Sequence, residues 1–333
     1  MKGKKIYIYP DVKKRTNDYI LLFHKSFEDN DYKVNNRFSK LRLLNMIFNI
    51  DSDIFIIHWV DVIPYLRFGS VQYYFLKFII LSLSVLKKDV IWVLHNKTSH
   101  RKGDFDQQRG KVKKIMDFMA KYSTKVLVHA KDGVEFYNQI YGTRYPNKVI
   151  CIPHPVYKND IICDNSVEKK WDFIVWGSIS PYKNINEFFE FMNNDFFFRD
   201  KKILLCGKCT DEAYEKRIKN NLGANVTYIN KFLSDEELIL YISSSEMILF
   251  TYSQDSVISS GALIFSLNYC KPIIAPSIGN FKEFPNVVFC YDEFNDITKF
   301  DYPLKYDTNC VEKYISENTW FNFPAKVVQD IIV

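Results

Sequence analysis

The sequence predicts an α/β protein with two doubly wound parallel-sheet domains. Short runs of β-branched and aromatic residues recur along the chain, with gaps of helical length between them. Most of these runs are apolar at nearly every position, which is typical of strands buried on both faces of a parallel sheet. The alternation of strand and helix occurs twice, so we expect two such domains. The length of 333 residues agrees, because about 150 residues per domain is usual.

The predicted strands form one group in each half of the chain. In the first half they are residues 5–9, 53–59, 90–95, 125–129 and 149–152, and in the second half 172–176, 203–206, 226–229, 247–250 and 272–275. Amphipathic segments separate them, at residues 16–30, 65–87, 107–122, 132–141, 184–195, 210–222, 234–245 and 258–269. Their apolar residues recur with the period of a helix that packs one face on a sheet.

Domain boundaries follow from composition. A polar stretch begins after Pro153 and Pro155 and ends at a new strand. We therefore expect a first domain over 1–157, a linker over 158–170 and a second domain over 171–307. The segment 308–333 is predicted to be helical, interrupted near Pro324, and to cross back to the first domain.

Composition excludes several classes of protein. Hydrophobic residues are 47% and charged residues 25%, and Gly and Pro number 11 each, so the chain is neither fibrous nor of low complexity. No secretory signal is visible, and no apolar run reaches the ~18 residues of a membrane span. The seven cysteines are scattered. We expect reduced, mostly buried thiols and a cytoplasmic location.

Charge is divided unevenly between the halves. Residues 1–160 hold 28 basic and 15 acidic residues (+13), and the remainder holds 17 and 24 (−7). The basic half suits an anionic partner, and nucleic acid is disfavoured because no nucleic-acid motif accompanies the scattered lysines and arginines. The apolar segment 72–88 carries Lys77, Lys87 and Lys88, and a cluster follows at Arg109, Lys111, Lys113 and Lys114. These predict peripheral docking on the anionic inner face of a membrane. A buried core helix explains the same apolar residues.

Histidines stand at the strand ends of the first half. His58, His95, His129 and His154 each end or follow a predicted strand. Ligands of such sheets bind at the carboxyl ends of the strands, so these side chains are candidates for a site. A structural role in hydrogen bonding explains any single one of them. A metal site is disfavoured, because no pair has the spacing of zinc ligands and no carboxylates accompany them.

Glycine, serine and lysine stand at the corresponding positions of the second half. Gly177 and Ser178 follow one strand, with Lys183 close to a helix start. Backbone N–H groups, a helix dipole and a lysine can together hold phosphate. Gly207 lies within Cys206-Gly207-Lys208-Cys209, which we interpret as a tight loop rather than a redox or zinc motif. Ser259, Ser260 and Gly261 open another helix with small residues that could let a diphosphate approach, although taken alone they are better explained by an ordinary serine N-cap.

Taken in order, these residues resemble the bacterial group-1 glycosyltransferases of GT-B fold found in capsule and exopolysaccharide gene clusters. The matching pieces are Asn17-Asp18-Tyr19, Ile57-His58-Trp59, His95-Asn96 with His100, Pro153-His154, Gly177 with Tyr182-Lys183-Asn184, Ser259-Ser260-Gly261, and Lys271 to Pro276 with Gly279. They span nearly the whole chain. The two glutamates usual around the phosphate helix are absent, since Val257 and Phe265 stand there, so the stereochemistry stays open.

The resemblance implies transfer of a sugar from a UDP- or GDP-sugar to a hydroxyl of a glycan or lipid-linked saccharide, without a metal or other cofactor. It implies a general base, His95 first and His58 second. The expected donor-binding residues are Gly177 (through its N–H), Ser178, Lys183, Gly207, Phe232 beneath the base, Tyr252, Ser259, Ser260 and Gly261. The expected acceptor-side residues are Asn17, Asn96, His100 and His154. A nucleotide-sugar epimerase and a catalytically silent nucleotide-sugar-binding subunit remain alternatives, and a nucleic-acid binder would explain only the basic half.

Overall fold

The computed structural model describes residues 4–12, 17–34, 43–97, 108–163, 166–254 and 256–332. The chain divides into two compact units. Unit 1 comprises Met1–Pro155 and Asn318–Val333, and unit 2 comprises Val156–Glu317. The chain thus leaves unit 1 once and returns to it for its last helix.

Each unit is built on one parallel sheet of six strands among the described residues. The strands of unit 1 are β1 (Lys5–Tyr9), β2 (Lys33–Val34), β3 (Ile54–His58), β4 (Asp89–Val93), β5 (Lys125–Val128) and β6 (Val149–Cys151). The strands of unit 2 are β7 (Trp171–Trp176), β8 (Ile203–Cys206), β9 (Val226–Ile229), β10 (Ser245–Leu249), β11 (Ile273–Pro276) and β12 (Val288–Tyr291). The strand order is β2-β1-β3-β4-β5-β6 in unit 1 and β12-β11-β10-β7-β8-β9 in unit 2.

Helices connect successive strands, as a parallel sheet requires. They are α1 (Asp18–Asp29), α2 (Leu44–Phe48), α3 (Gly69–Val85), α4 (Arg109–Tyr122), α5 (Lys131–Tyr137), α6 (Ile185–Met192), α7 (Glu212–Asn220), α8 (Asp235–Ser243), α9 (Gly261–Ser266), α10 (Phe294–Ile297), α11 (Asn309–Glu317) and α12 (Phe323–Ile332). Helix α9 continues as a 3₁₀ turn over Leu267–Tyr269, and further 3₁₀ turns lie at Val60–Tyr65, Pro181–Lys183 and Gly279–Glu283. A π turn over Asn138–Gly142 extends α5.

The predicted two-sheet α/β architecture is confirmed. All ten predicted strands are present within a residue or two, and β2 and β12 are added at the sheet edges. The segment predicted as one helix over 65–87 begins only at Gly69, because Phe68 adopts a left-handed conformation with φ 59°. Similarly, the helix predicted over 258–269 begins at Gly261, after an extended segment.

The cysteine prediction was wrong at one pair. Cys163 and Cys270 form a disulfide within unit 2, at a sequence separation of 107. It joins the segment that precedes β7 to the turn that follows α9. The sequence offered no pairing signal, because the two residues meet only through the tertiary fold. Of the five free cysteines only Cys206 and Cys209 are buried, whereas Cys290 and Cys310 are half-buried and Cys151 is exposed, so the expectation of mostly buried thiols was also wrong.

Membrane-spanning segments were searched for among the described residues. None of their helices combines the length and the apolar character that a membrane crossing requires.

Candidate functional site

Lys183 places a buried amine at the carboxyl edge of the unit 2 sheet. Its side chain is only 5% exposed, at the end of the 3₁₀ turn that follows β7. Its Nζ donates a hydrogen bond to the Trp176 carbonyl (3.1 Å) and lies 5.3 Å from the centre of the Tyr252 ring. No carboxylate pairs with it among the described residues. Burial lowers the pKa of Lys183, because charge is disfavoured away from water.

Two glycines make room for this lysine. Gly177 has φ +101°, and a Cβ there would lie 2.7 Å from Lys183 Nζ. Gly207 has φ +144°, and a Cβ there would lie 1.9 Å from the Gly177 carbonyl oxygen. The Gly177 N–H, which was expected to face a phosphate, donates to the Cys206 carbonyl (3.1 Å) in this structure. These glycines let the ends of β7 and β8 approach closely.

The start of α9 lies at the same edge, because α9 follows β10, the neighbour of β7. Ser260 caps the helix by accepting from the Leu263 N–H (3.2 Å), and its own N–H donates to Asn280 Oδ1 (2.9 Å). The Tyr252 hydroxyl lies 3.3 Å from Ser260 Oγ. Ser260 is therefore engaged in positioning the helix. Ser259 Oγ is buried with no hydrogen-bond partner in the described part of unit 2, which leaves it for a ligand.

Gly261 is the first helical residue, where N–H groups lack intrahelical acceptors. Ser178 is exposed directly after β7 and Gly177. Phe232 lies between β9 and α8 and is 80% exposed, so most of its ring faces solvent. The structure thus gathers Lys183, Tyr252 and the α9 start, and leaves Ser178 and Phe232 at the surface.

In unit 1, the four strand-end histidines form one cluster. His58 ends β3, and His95, His129 and His154 follow β4, β5 and β6; these four strands are successive neighbours in the sheet. Neighbouring strands lie about 4.8 Å apart, so side chains at equivalent ends come into contact. His58 Nδ1 and His95 Nε2 are 3.0 Å apart, and the His95 ring stacks on Trp59 with 4.9 Å between ring centres.

Tyr19, from the first turn of α1, lies at the centre of this cluster. Its ring centre is 5.2–5.7 Å from the rings of His58, His95, His129 and His154. Its hydroxyl is 2.6 Å from His129 Nε2, and His129 Nδ1 is 2.7 Å from the Ile152 carbonyl. Since a carbonyl only accepts, His129 carries its proton on Nδ1, and Tyr19 donates to Nε2. Trp320, from the segment that returns to unit 1, packs against Tyr19 (5.5 Å).

His95 is more exposed to solvent than the other three histidines of the cluster. His58, His129 and His154 are buried, and burial lowers the pKa of His58 well below its ordinary range, of His129 to about 3 and of His154 to about 4. These rings are neutral at physiological pH. His95 is half-buried, so it alone of the four is open to a ligand.

The remaining acceptor-side candidates have identifiable structural roles. Asn17 caps α1 by accepting from the Tyr19 N–H (2.9 Å), which fixes the start of the helix that carries Tyr19. Asn96 is buried, and its Nδ2 lies 3.4 Å from Asp61 Oδ2. Burial raises the pKa of Asp61 to about 6. His154 Nδ1 bonds the Pro155 carbonyl (2.7 Å). His100 lies outside the described residues.

Sequence reasoning missed two residues of this assembly and gave a third no specific role. Tyr19 was part of the Asn17-Asp18-Tyr19 match but was not selected, and His129 was one of the strand-end candidates without an assigned role. Trp320 gave no signal, because it reaches the cluster from the far end of the chain. In the described segments, no group of three or more His, Cys, Asp or Glu residues could hold a metal ion.

Solved structures with this arrangement of strands and helices include HepE of Anabaena in complex with UDP (12% identity, TM-score 0.60, 98% of this chain and 95% of that chain). The lipopolysaccharide outer core galactosyltransferase WaaB matches equally well (13%, TM-score 0.60, 98% and 99%). A glycosyltransferase of Rickettsia africae follows (12%, TM-score 0.58, 99% and 99%). No protein-family model matches the chain, and no curated protein sequence matches it. The fold is therefore GT-B, with two Rossmann-like units, as the resemblance implied.

Proposed function

We propose that this chain is a glycosyltransferase that moves a sugar from a UDP- or GDP-sugar to a hydroxyl of a glycan or lipid-linked saccharide. The observation that carries the proposal is the buried cation of Lys183, which has no carboxylate partner in the described part of the chain and lies near the open start of α9. A buried charge without a counter-ion is costly, and a bound diphosphate would compensate it. HepE, of the same fold, was crystallised with UDP.

Each residue at this edge has a part in the departure of the nucleotide. Negative charge grows on the leaving diphosphate as the bond to the sugar breaks. Lys183 neutralises part of that charge, and the α9 N–H groups with Ser259 Oγ hydrogen-bond the phosphate oxygens. Because these groups are fixed before the reaction, we propose that the nucleotide leaves without a metal ion. Tyr252 packs beside Lys183 Nζ and keeps water from it.

His95 is the base in this proposal, and His58 positions it. When His95 takes a proton from the acceptor hydroxyl, its Nε2–H can donate to His58 Nδ1 at 3.0 Å. That requires His58 to stay neutral, which its complete burial ensures. His58 is a poor base itself, because burial holds its pKa well below neutrality. The proposal therefore keeps His95, the first of the two candidates, as the base and makes His58 a positioning residue.

The acceptor in this proposal belongs to surface polysaccharide synthesis, as in the lipopolysaccharide role in WaaB's name. A lipid-linked acceptor would bring the enzyme to a membrane surface. The stacked Trp59 and His95 rings suit a sugar, since aromatic faces pack against the C–H faces of pyranose rings.

A panel of UDP- and GDP-sugars incubated with the purified chain tests the proposal. Slow release of the free sugar and nucleoside diphosphate, identified by mass, is expected of a transferase without its acceptor. An isomerised sugar would indicate an epimerase, and nucleotide binding without turnover a silent binding subunit. Either result would contradict the proposal.

A further inference from the structure

Helix α3 is apolar on nearly every side, but only one of its faces is covered. Its inward residues, among them Leu76 and Ile80, are fully buried. On the opposite face Val71, Tyr74, Phe78 and Val85 are 68%, 66%, 63% and 81% exposed, and Leu81 is 40% exposed. These five residues, the α3 stripe, follow one another at intervals of three or four. They therefore form one continuous apolar strip about 20 Å long. A strip of this kind marks an interaction surface.

Basic residues border the α3 stripe. From Arg67 to Lys88 there are four basic residues and no acidic one. Along one edge runs α4, because Lys111 Nζ donates to Ser70 Oγ (2.6 Å) and Lys77 Nζ lies 4.8 Å from the centre of the Phe118 ring. Helix α4 adds Lys114, which is exposed, and its one acidic residue, Asp117, pairs with Lys113.

We propose that the α3 stripe and its basic border dock this chain on the surface of an anionic lipid bilayer, with α3 lying in the plane of the headgroups. Apolar and aromatic side chains on one face of such a helix enter the boundary between headgroups and acyl chains. The flanking lysines and arginines extend their charges to anionic headgroups, with their methylene stems along the apolar surface.

The charges favour a bilayer over a second copy of this chain. In a symmetric dimer the same patch faces itself, so the basic border of one copy would meet that of the other, while the acidic residues beside it, Asp117 and Asp53, already pair with Lys113 and Lys88 of the same copy. Like charges opposed in this way disfavour association. The docking does not rest on the transferase activity, and vesicle binding measures it without any turnover.

Cosedimentation of the full chain with vesicles tests the docking. We expect binding to vesicles of phosphatidylcholine mixed with phosphatidylglycerol, little binding to phosphatidylcholine alone, and release as salt is raised. The variant Val71→Ser/Phe78→Ser should lose about tenfold or more in partition coefficient, since two large apolar side chains leave the bilayer. Its matched control is Phe196→Ser/Leu240→Ser, which removes two exposed apolar side chains from unit 2 and should bind as the unaltered chain does.

Reversing two positive charges of the basic border gives a second, independent test. Lys87→Glu/Lys114→Glu should bind mixed vesicles at least about tenfold more weakly, because each basic residue near the surface adds to the electrostatic attraction. Lys216→Glu/Lys313→Glu, at exposed sites in unit 2, should have little effect. Equal binding by the stripe variant and the unaltered chain would overturn the proposal. The proposal would also be overturned if the unaltered chain did not bind vesicles and light scattering showed a dimer that becomes monomeric in the stripe variant. The α3 stripe would then be an interface between copies.

Discussion

Replacing Lys183 by Met should have opposite effects on nucleotide affinity and on the stability of the free chain. Methionine fills nearly the same volume without the charge, so no cavity is created. In the free chain the Lys183 cation is buried, with the Trp176 carbonyl as its hydrogen-bond partner. Removing such a cation should leave the melting temperature unchanged or higher, because one carbonyl compensates little of the cost of burying a charge.

The loss in affinity follows from the contact that disappears. A hydrogen bond between a charged donor and a charged acceptor contributes about 1.5–3 kcal/mol. Its loss corresponds to a dissociation constant for UDP or GDP that is about 10- to 150-fold higher. Full burial of the ammonium group places the expected effect toward the upper end, since water cannot replace the lost contact.

Titration calorimetry with UDP and GDP measures this effect, and differential scanning calorimetry measures the stability. Lys216→Met, at an exposed site on α7, is the matched control and should change neither quantity. Unchanged nucleotide affinity in a folded Lys183→Met variant would refute the assignment of Lys183 to the diphosphate. A strong loss of stability would refute the argument that its charge is uncompensated.

Three further predictions concern the base, the glycines and pH. His95→Ala should lower turnover by ~10²–10⁴-fold in a transfer assay while the affinity for UDP is kept; near-normal turnover would exclude His95 as the base. Gly207→Ala should lower the free energy of unfolding by more than about 2 kcal/mol in chemical denaturation, because its Cβ would overlap the Gly177 carbonyl. By contrast, Gly110→Ala, with open space around its Cβ, should be neutral or stabilising. Burial lowers the pKa of His129 to about 3 and of His24 and His154 to about 4, so the unfolded chain takes up protons first as pH falls below 6.5. Each of these histidines should therefore cost up to about 1.4 kcal/mol of stability per pH unit between 6.5 and its own pKa; a flat denaturation profile from pH 7 to 5 would contradict this.

The sequence was sufficient to predict those elements whose structure depends on neighbouring residues alone. Strands such as β3 and β4 were predictable because a strand covered on both faces must be apolar throughout. The two-residue β2 was missed, since its exposed Lys33 carries no such signal. The start of α9 was placed too early, because Val257 and Ile258 are apolar but lie before the helix, which begins after the Ser260 cap.

The sequence by itself determined that this chain is an α/β protein with two parallel-sheet domains. It also determined that histidines stand at the strand ends of the first half, and glycine, serine and lysine at the strand ends of the second. These properties depend on residue type and spacing within short segments, so they can be read without knowledge of long-range contacts. Only the tertiary structure decided that β3 to β6 lie side by side and so bring four histidines around Tyr19. It also decided that Trp320 joins them from the other end of the chain, and that the missing side chain of Gly177 leaves room for the Lys183 amine while its N–H donates to the Cys206 carbonyl. Such contacts join residues far apart in sequence, and they form because sheet order and the return of the last helix bring those residues together.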